Sequence, residues 1–345
     1  MSIFQQIFVE IIEKIEIDEN LIIHHADYPR LELKLDAIDR LKQLPPQLQA
    51  KFLIAQIQTY LYDIYFSHSL MSCKEIEAEI QQPSQIKNNI IDGVDVDFLR
   101  QLQQHNTSSG YIDRDWQVVA ETENNELIVV KDGLHLHINR QLHLPKDVQE
   151  VAIGAAIPIY LPHNLVGQDT YIMVGNYGSP DRDRSVQIYF NFTPDVALAI
   201  AQKLTCELNR LGIPFQFAIL HNPAIFYRYD TATLWLSQAS YIELKTFLVE
   251  IYQVHKAEFS PNVPLFSKQL APGLGIAEVP TTGTFGMQWC ELLATGLLAA
   301  MEQDRTSTAD KLSSIHQVLM NAGIDWQQPY LNPAAVDNYS VYIVE

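Results

Sequence analysis

The chain has few cysteines, few positive charges and no long apolar run, and each shortage removes a class of protein. Three cysteines in 345 residues, Cys73, Cys206 and Cys290, are far apart and odd in number. That fits a reducing compartment better than a disulfide framework. Lysine and arginine number 23 against 41 aspartates and glutamates, for a formal net charge of -18. Duplex DNA and anionic membranes both need a field of the opposite sign, so neither nucleic acid nor membrane is expected as a partner. No uninterrupted run of about 20 apolar residues occurs. The N-terminus Met-Ser-Ile-Phe-Gln-Gln lacks a basic segment ahead of an apolar one. The expectation is a soluble, cytoplasmic protein without a signal peptide.

Familiar chemical signatures are missing too. There is no G-x-S-x-G, no G-x-x-x-x-G-K-[ST] and no kinase H-R-D or D-F-G set, which sets aside nucleotide-dependent phosphoryl transfer. The eleven histidines form no H-E-x-x-H, and the cysteines are not paired, so no metal and no cofactor are expected.

What is present is a long, 47% hydrophobic chain with two kinds of periodicity. Residues 2–16 carry Ile3, Phe4, Ile7, Phe8, Ile11, Ile12 and Ile15 at helical spacing, and Pro45-Pro46 open a second apolar helix running through Tyr65. A short helix follows at Val96–Gln104, and a polar joint at His105–Gly110 suggests a boundary: an N-terminal helical region, 1–110, and an α+β domain, 111–345. From Tyr111 the period changes to two, with strands at 116–121 and 126–130, a turn at Lys131-Asp132-Gly133 and a strand at 134–138. Further strands are predicted at 157–161, 171–174, 186–192, 215–220 and 233–236. Thr193 as N-cap, Pro194 at the first position and a Gly212 stop bracket a helix between two of them. Helices near 239–255, 284–302 and 306–322 complete a mixed, mainly antiparallel sheet flanked by helices.

Four places carry candidate chemistry. His135 and His137 alternate on one strand and so share a face, with Lys131 just upstream, although an exposed hairpin face explains them equally. The glycine-bearing turn at 175–184 ends in Arg182 and Arg184, able to hold an anion or to be neutralised by Asp181 and Asp183. In the strand that follows, Ser185, Gln187, Tyr189 and Asn191 line the face opposite Val186 and Ile188, which suits a ligand surface. Arg228 sits between Tyr227 and Tyr229, where it is either stacked and partly dry or simply paired with Asp230. Lys268 is alone among the prolines and glycines of Val263–Cys290, a shaped loop leading into a helix. It is either an anion contact or a solvated lysine.

Read in order, Ile188-Tyr-Phe-Asn191, Leu208-Asn-x-x-Gly-Ile-Pro-Phe215, Tyr227-Arg-Tyr-Asp230, Pro264-x-Phe-x-Lys268-x-Leu-Ala-Pro-Gly-Leu-Gly-x-Ala-Glu278, Thr284-Phe-Gly-Met287 and Pro329-Tyr-Leu331 resemble the HopA-like type III effector family. That family includes the lyase component of class V lanthipeptide and thioamitide-type peptide maturation. The resemblance covers roughly Asp169–Leu331. It implies elimination of phosphate from a phosphorylated Ser or Thr in a precursor peptide, after a kinase partner has added it, with no metal or nucleotide. Arg182, Arg184, Arg228 and Lys268 would hold the phosphate, and Tyr189 and Asn191 the substrate. These cations should then meet in one cleft; facing different sides of the domain, they cannot serve one phosphate.

The family implies a lysine base near Ala218, and this chain has none. Two readings stay open. In one, Lys131 acts as base with His135 or His137 as acid; in the other, the chain is a non-catalytic peptide- or kinase-binding subunit on the same scaffold. A host-directed role is disfavoured by the apolar helical face of residues 2–16, where a Ser-rich secretion tail would be needed.

Overall fold

The alternating segments between Tyr111 and Leu236 do form strands, but they divide between two sheets. In the computed structural model, residues 3–342 are described except 19–21, 33–34, 82–88, 123, 125, 149–150 and 304. The N-terminal part comprises α1 (Ile3–Lys14), a small ladder of β1 (Ile15–Ile17) and β2 (Ile23–His25), α2 (Leu35–Lys42) and α3 (Pro46–Leu61). The last of these runs on into a π-helical turn, Tyr62–Phe66. Then come α4 (Cys73–Gln81), the two-residue strands β3 (Ile90–Ile91) and β4 (Val94–Asp95), and α5 (Val96–His105), whose Asp95 caps the N–H groups of Asp97 and Phe98.

A four-stranded antiparallel sheet follows, from β5 (Tyr111–Glu121), β6 (Glu126–Lys131), β7 (Leu134–Asn139) and, after the one-turn α6 (Arg140–His143), β8 (Ala156–Leu161), in the order β7-β6-β5-β8. The larger sheet has seven strands: β9 (Asn164–Val166), β10 (Thr170–Val174), β11 (Ser185–Phe190), β12 (Gln216–Leu220), β13 (Ala232–Ser237), β14 (Lys268–Ala271) and β15 (Leu274–Glu278). Their order is β14-β15-β11-β13-β12-β10-β9, every pair antiparallel. Four helices complete the chain: α7 (Pro194–Leu211), α8 (Gln238–His255), α9 (Phe285–Glu302) and α10 (Thr308–Asn321).

Local chemistry explains most of these limits. Pro194 opens α7 and Gly212, at φ 72°, closes it in the left-handed conformation. Thr193 does occupy the N-cap position, but its Oγ1 is buried without a partner among the described residues and makes no capping bond. The Val263–Cys290 stretch, read above as loop, contains the β14-β15 hairpin. Its turn needs Gly273, at φ +73°, because a Cβ there would lie 2.2 Å from the Ser260 carbonyl oxygen.

The core does not break at residue 110. Phe8, Ile11, Ile57 and Leu61 from the N-terminal helices share one apolar cluster with Leu204, Phe217, Leu234, Ile276 and Trp289. The amphipathic α1 finds its partner there, with Phe8 fully buried and stacked 5.4 Å from Phe266; truncating such a ring costs about 3–5 kcal/mol. A separate, smaller core of Trp116, Val118, Leu127, Val129, Ile138, Ile157 and Ile159 belongs to the four-stranded sheet.

Candidate functional site

Cross-strand pairing fixes which side chains share a face of the seven-stranded sheet. Ile188 pairs with Leu234 and Ile276, and Leu234 with Phe217, which gives one face of fully buried apolar residues. On the other face Gln187 pairs with Trp235, Tyr189 with Thr233, Gln216 with Trp235 and Ala218 with Thr233 and Ile172. That polar face floors a cavity of about 310 Å3. Its walls come from elsewhere in the chain: Tyr62 and Phe66 from the π-helical turn, Thr284 and Gly286 from the start of α9, and Arg228 with Asp230 from the loop before β13.

The walls are held tightly. Phe66 stacks on Tyr62 at 4.9 Å and meets Tyr189 edge-on at 5.6 Å. A Cβ on Gly286 would lie 2.7 Å from the Phe66 ring, so only glycine lets α9 approach this closely. Tyr189 is buried, and its hydroxyl donates to Gln187 Oε1 at 2.8 Å. Burial pushes its phenol well above the ordinary range, and burial raises Tyr62 as well. Both are therefore neutral donors at physiological pH. Trp235 Nε1 is a buried donor with no acceptor among the described residues.

Arg228 is the one lysine or arginine among the described residues lining this cavity, and each of its three nitrogens donates to a carboxylate. Its Nε and Nη2 donate to the two oxygens of Asp230, each at 2.9 Å, and its Nη1 to Asp169 Oδ2 at 3.1 Å. Burial alone would lower its pKa, but the hydrogen bonds and charge of Asp230 outweigh that and raise it. Burial likewise lifts the Asp230 carboxyl, against the pull of Arg228. Of the two readings of Arg228, the pairing with Asp230 is the one found, and the pair is largely buried, with side-chain exposures of 13% and 10%.

The other residues singled out from sequence do not join it. Arg184 is exposed and lines a different cavity, with Ser237, Gln238 and Tyr339. Arg182 donates to the Pro280 carbonyl at 3.0 Å and to that of Gly283, bracing the loop before α9 without lining the cavity. Lys268 pairs with Ile276 in the hairpin, so it projects on the Ile188 face, opposite Tyr189. There its ammonium meets Asp337 and lies 5.2 Å from the Tyr330 ring centre. Asn191 is buried just past β11, its amide donating to the Asn262 carbonyl at 3.0 Å, as part of the loop packing. Of the four cations only Arg228 lines this cavity: Arg184 lines another, Arg182 is engaged by loop carbonyls, and Lys268 projects on the opposite face of the sheet.

Lys131, His135 and His137 lie in the other sheet, on opposite faces of it. Lys131 pairs with Leu134 and shares the side of Val129 and Leu127, whereas His135 pairs with Val130 and His137 with Ile128. Lys131 donates to Asp113 at 2.7 Å and to the Arg114 carbonyl at 2.9 Å, while both histidines are exposed. A base and acid on opposite faces cannot serve one substrate. Among the described residues no group of three His, Cys, Asp or Glu side chains is placed to hold a metal, and no helix is long and apolar enough to cross a membrane.

Tyr62, Phe66, Gln216, Thr233, Trp235 and Thr284 were not foreseen. The strand residues among them were detectable by the same alternation that marked Gln187 and Tyr189, while the wall residues are brought in only by tertiary packing.

Fold and cavity together define an α+β protein with a covered polar window on one face of an antiparallel sheet. Residues 161–331 match the model of the HopA1 effector protein family, so this segment is similar to that family. That segment holds the whole larger sheet and every cavity residue except Tyr62 and Phe66. Two solved structures are similar. The effector protein from Pseudomonas syringae pv. tomato strain DC3000 is 17% identical, with a TM-score of 0.43 over 72% of this chain and 84% of that one. The effector protein from Pseudomonas syringae pv. syringae strain 61 is 14% identical, with a TM-score of 0.40 over 72% and 85%. No curated protein matches.

Proposed function

We propose that this HopA-like chain is a binding protein whose sheet-face cavity holds part of a peptide without eliminating phosphate from it. The observation that carries the reading is the state of the cavity's charge. Elimination needs a base of lowered pKa and cations free for the departing phosphate. Ala218 stands where the resemblance implies the base, Tyr62 and Tyr189 are raised phenols, and both oxygens of Asp230 accept from Arg228. A peptide is the ligand class the resemblance implies. The unpaired Trp235 N–H supports it, because an unsatisfied buried donor costs about 1–3 kcal/mol that a peptide carbonyl would recover. Without elimination no phosphorylated intermediate has to be handed over, so the reading requires no kinase partner.

The test is incubation with peptides that carry phosphothreonine or threonine together with lysine and arginine residues, followed by mass analysis of the peptides and of what the immobilised protein retains. Retention with unchanged mass is expected. Loss of the elements of phosphoric acid would establish the lyase instead.

A further inference from the structure

We infer that the side chain entering this cavity is cationic, a lysine or arginine of the bound peptide, and not a phosphorylated or acidic residue; this rests on the cavity being the peptide site. The charges at hand are Arg228 against Asp230 and Asp169, one positive and two negative, a net of -1. Asp230 is spent on Arg228 at both oxygens. Asp169 is different: one oxygen accepts from Arg228, and its side chain, 48% exposed, lies just outside the lining, next in the chain to the lining residue Thr170. A carboxylate with one oxygen to spare thus stands within hydrogen-bond distance of Arg228, a residue of the lining.

The interior suits the same ligand. Four of the lining residues, Tyr62, Phe66, Tyr189 and Trp235, are aromatic, and aromatic rings attract an ammonium or guanidinium group that reaches an open ring face. A phosphate would enter against two carboxylates, with the sole cation already neutralised, and would lose its hydration for little return. A norleucine-type chain would gain the rings but not the Asp169 carboxylate. A volume of about 310 Å3 accommodates one long side chain with its flanking backbone.

Three probes decide the matter: N-acetyl-Gly-Xaa-Gly-amide with Xaa lysine, norleucine or phosphothreonine, titrated into the full chain. Binding is followed through the Trp235 indole N–H in NMR spectra, assigned with Trp235→Phe. The lysine probe should bind at least tenfold more tightly than norleucine and should weaken with added salt, with phosphothreonine weakest. Asp169→Asn, a substitution at a half-exposed position, should cut the preference for lysine over norleucine several-fold. Equal binding of lysine and norleucine, or tighter binding of phosphothreonine, overturns the cationic ligand alone. If none of the three perturbs Trp235, both the inference and the peptide cavity fall.

Discussion

Each of the two main sheets buries one side in an apolar core and bears polar side chains on the other, and only one of them makes a site. In the seven-stranded sheet the polar side, Gln187, Tyr189, Gln216 and Thr233, is roofed by the π-helical turn and the start of α9. In the four-stranded sheet the corresponding side bears His135 and His137, both exposed. Alternation alone is therefore no sign of function. What separates the two is whether other parts of the chain wall in the polar face and make a concave site of it.

That contrast can be broken first at Arg228. Arg228→Ala leaves Asp230 buried without its partner, and removing one member of such a pair costs about 3–5 kcal/mol. Chemical denaturation should show a loss near that size, whereas Lys131→Met, which breaks a half-exposed pair with Asp113, should cost about 1 kcal/mol or less. The roof comes next. Gly286→Ala drives a Cβ into the Phe66 ring and should cost about 1–3 kcal/mol, with loss of probe binding at Trp235.

A pH effect should be smaller. His25 is 9% exposed, and its Nδ1 accepts from the Asp27 N–H while Nε2 meets the Tyr65 hydroxyl at 2.7 Å. Burial lowers its pKa, only partly offset by the charge of Asp27, so the unfolded chain takes up the proton first. Stability is then fully present above the unfolded value of about 6.5 and falls as pH drops below it. The melting temperature should decline between pH 7.5 and 5.5, less steeply in His25→Gln. The smallest effect belongs to the open sheet: His135→Ala and His137→Ala should each stay within about 0.5 kcal/mol and leave probe binding unchanged.

The sequence disclosed its local rules well and its long-range pairings poorly. Pro194 and Gly212 bracket α7, and the alternation from Val186 to Tyr189 gave the correct facing of β11, because both depend on neighbours in the chain. Lys268 looked like a free cation because Asp337 is far along the chain. Its hairpin, hidden among prolines and glycines, turns it away from Tyr189. Tyr62 and Phe66 lie at the end of the apolar helix read through Tyr65 and carry no signal of their own, and only the π-helical turn and the approach of α9 make them a wall. Lys131 and His135 flank one turn, yet a single step in register sends them to opposite faces.

Photo-crosslinking compares the two sheets in one experiment. A lysine-containing peptide with a diazirine beside the lysine, irradiated with the full chain and mapped by mass spectrometry, should label Tyr62, Tyr189 or Trp235, with the label competed away by the acetylated lysine tripeptide. Labelling centred on His135 and His137, with the cavity residues untouched, would contradict the claim that closure over the polar face makes the site.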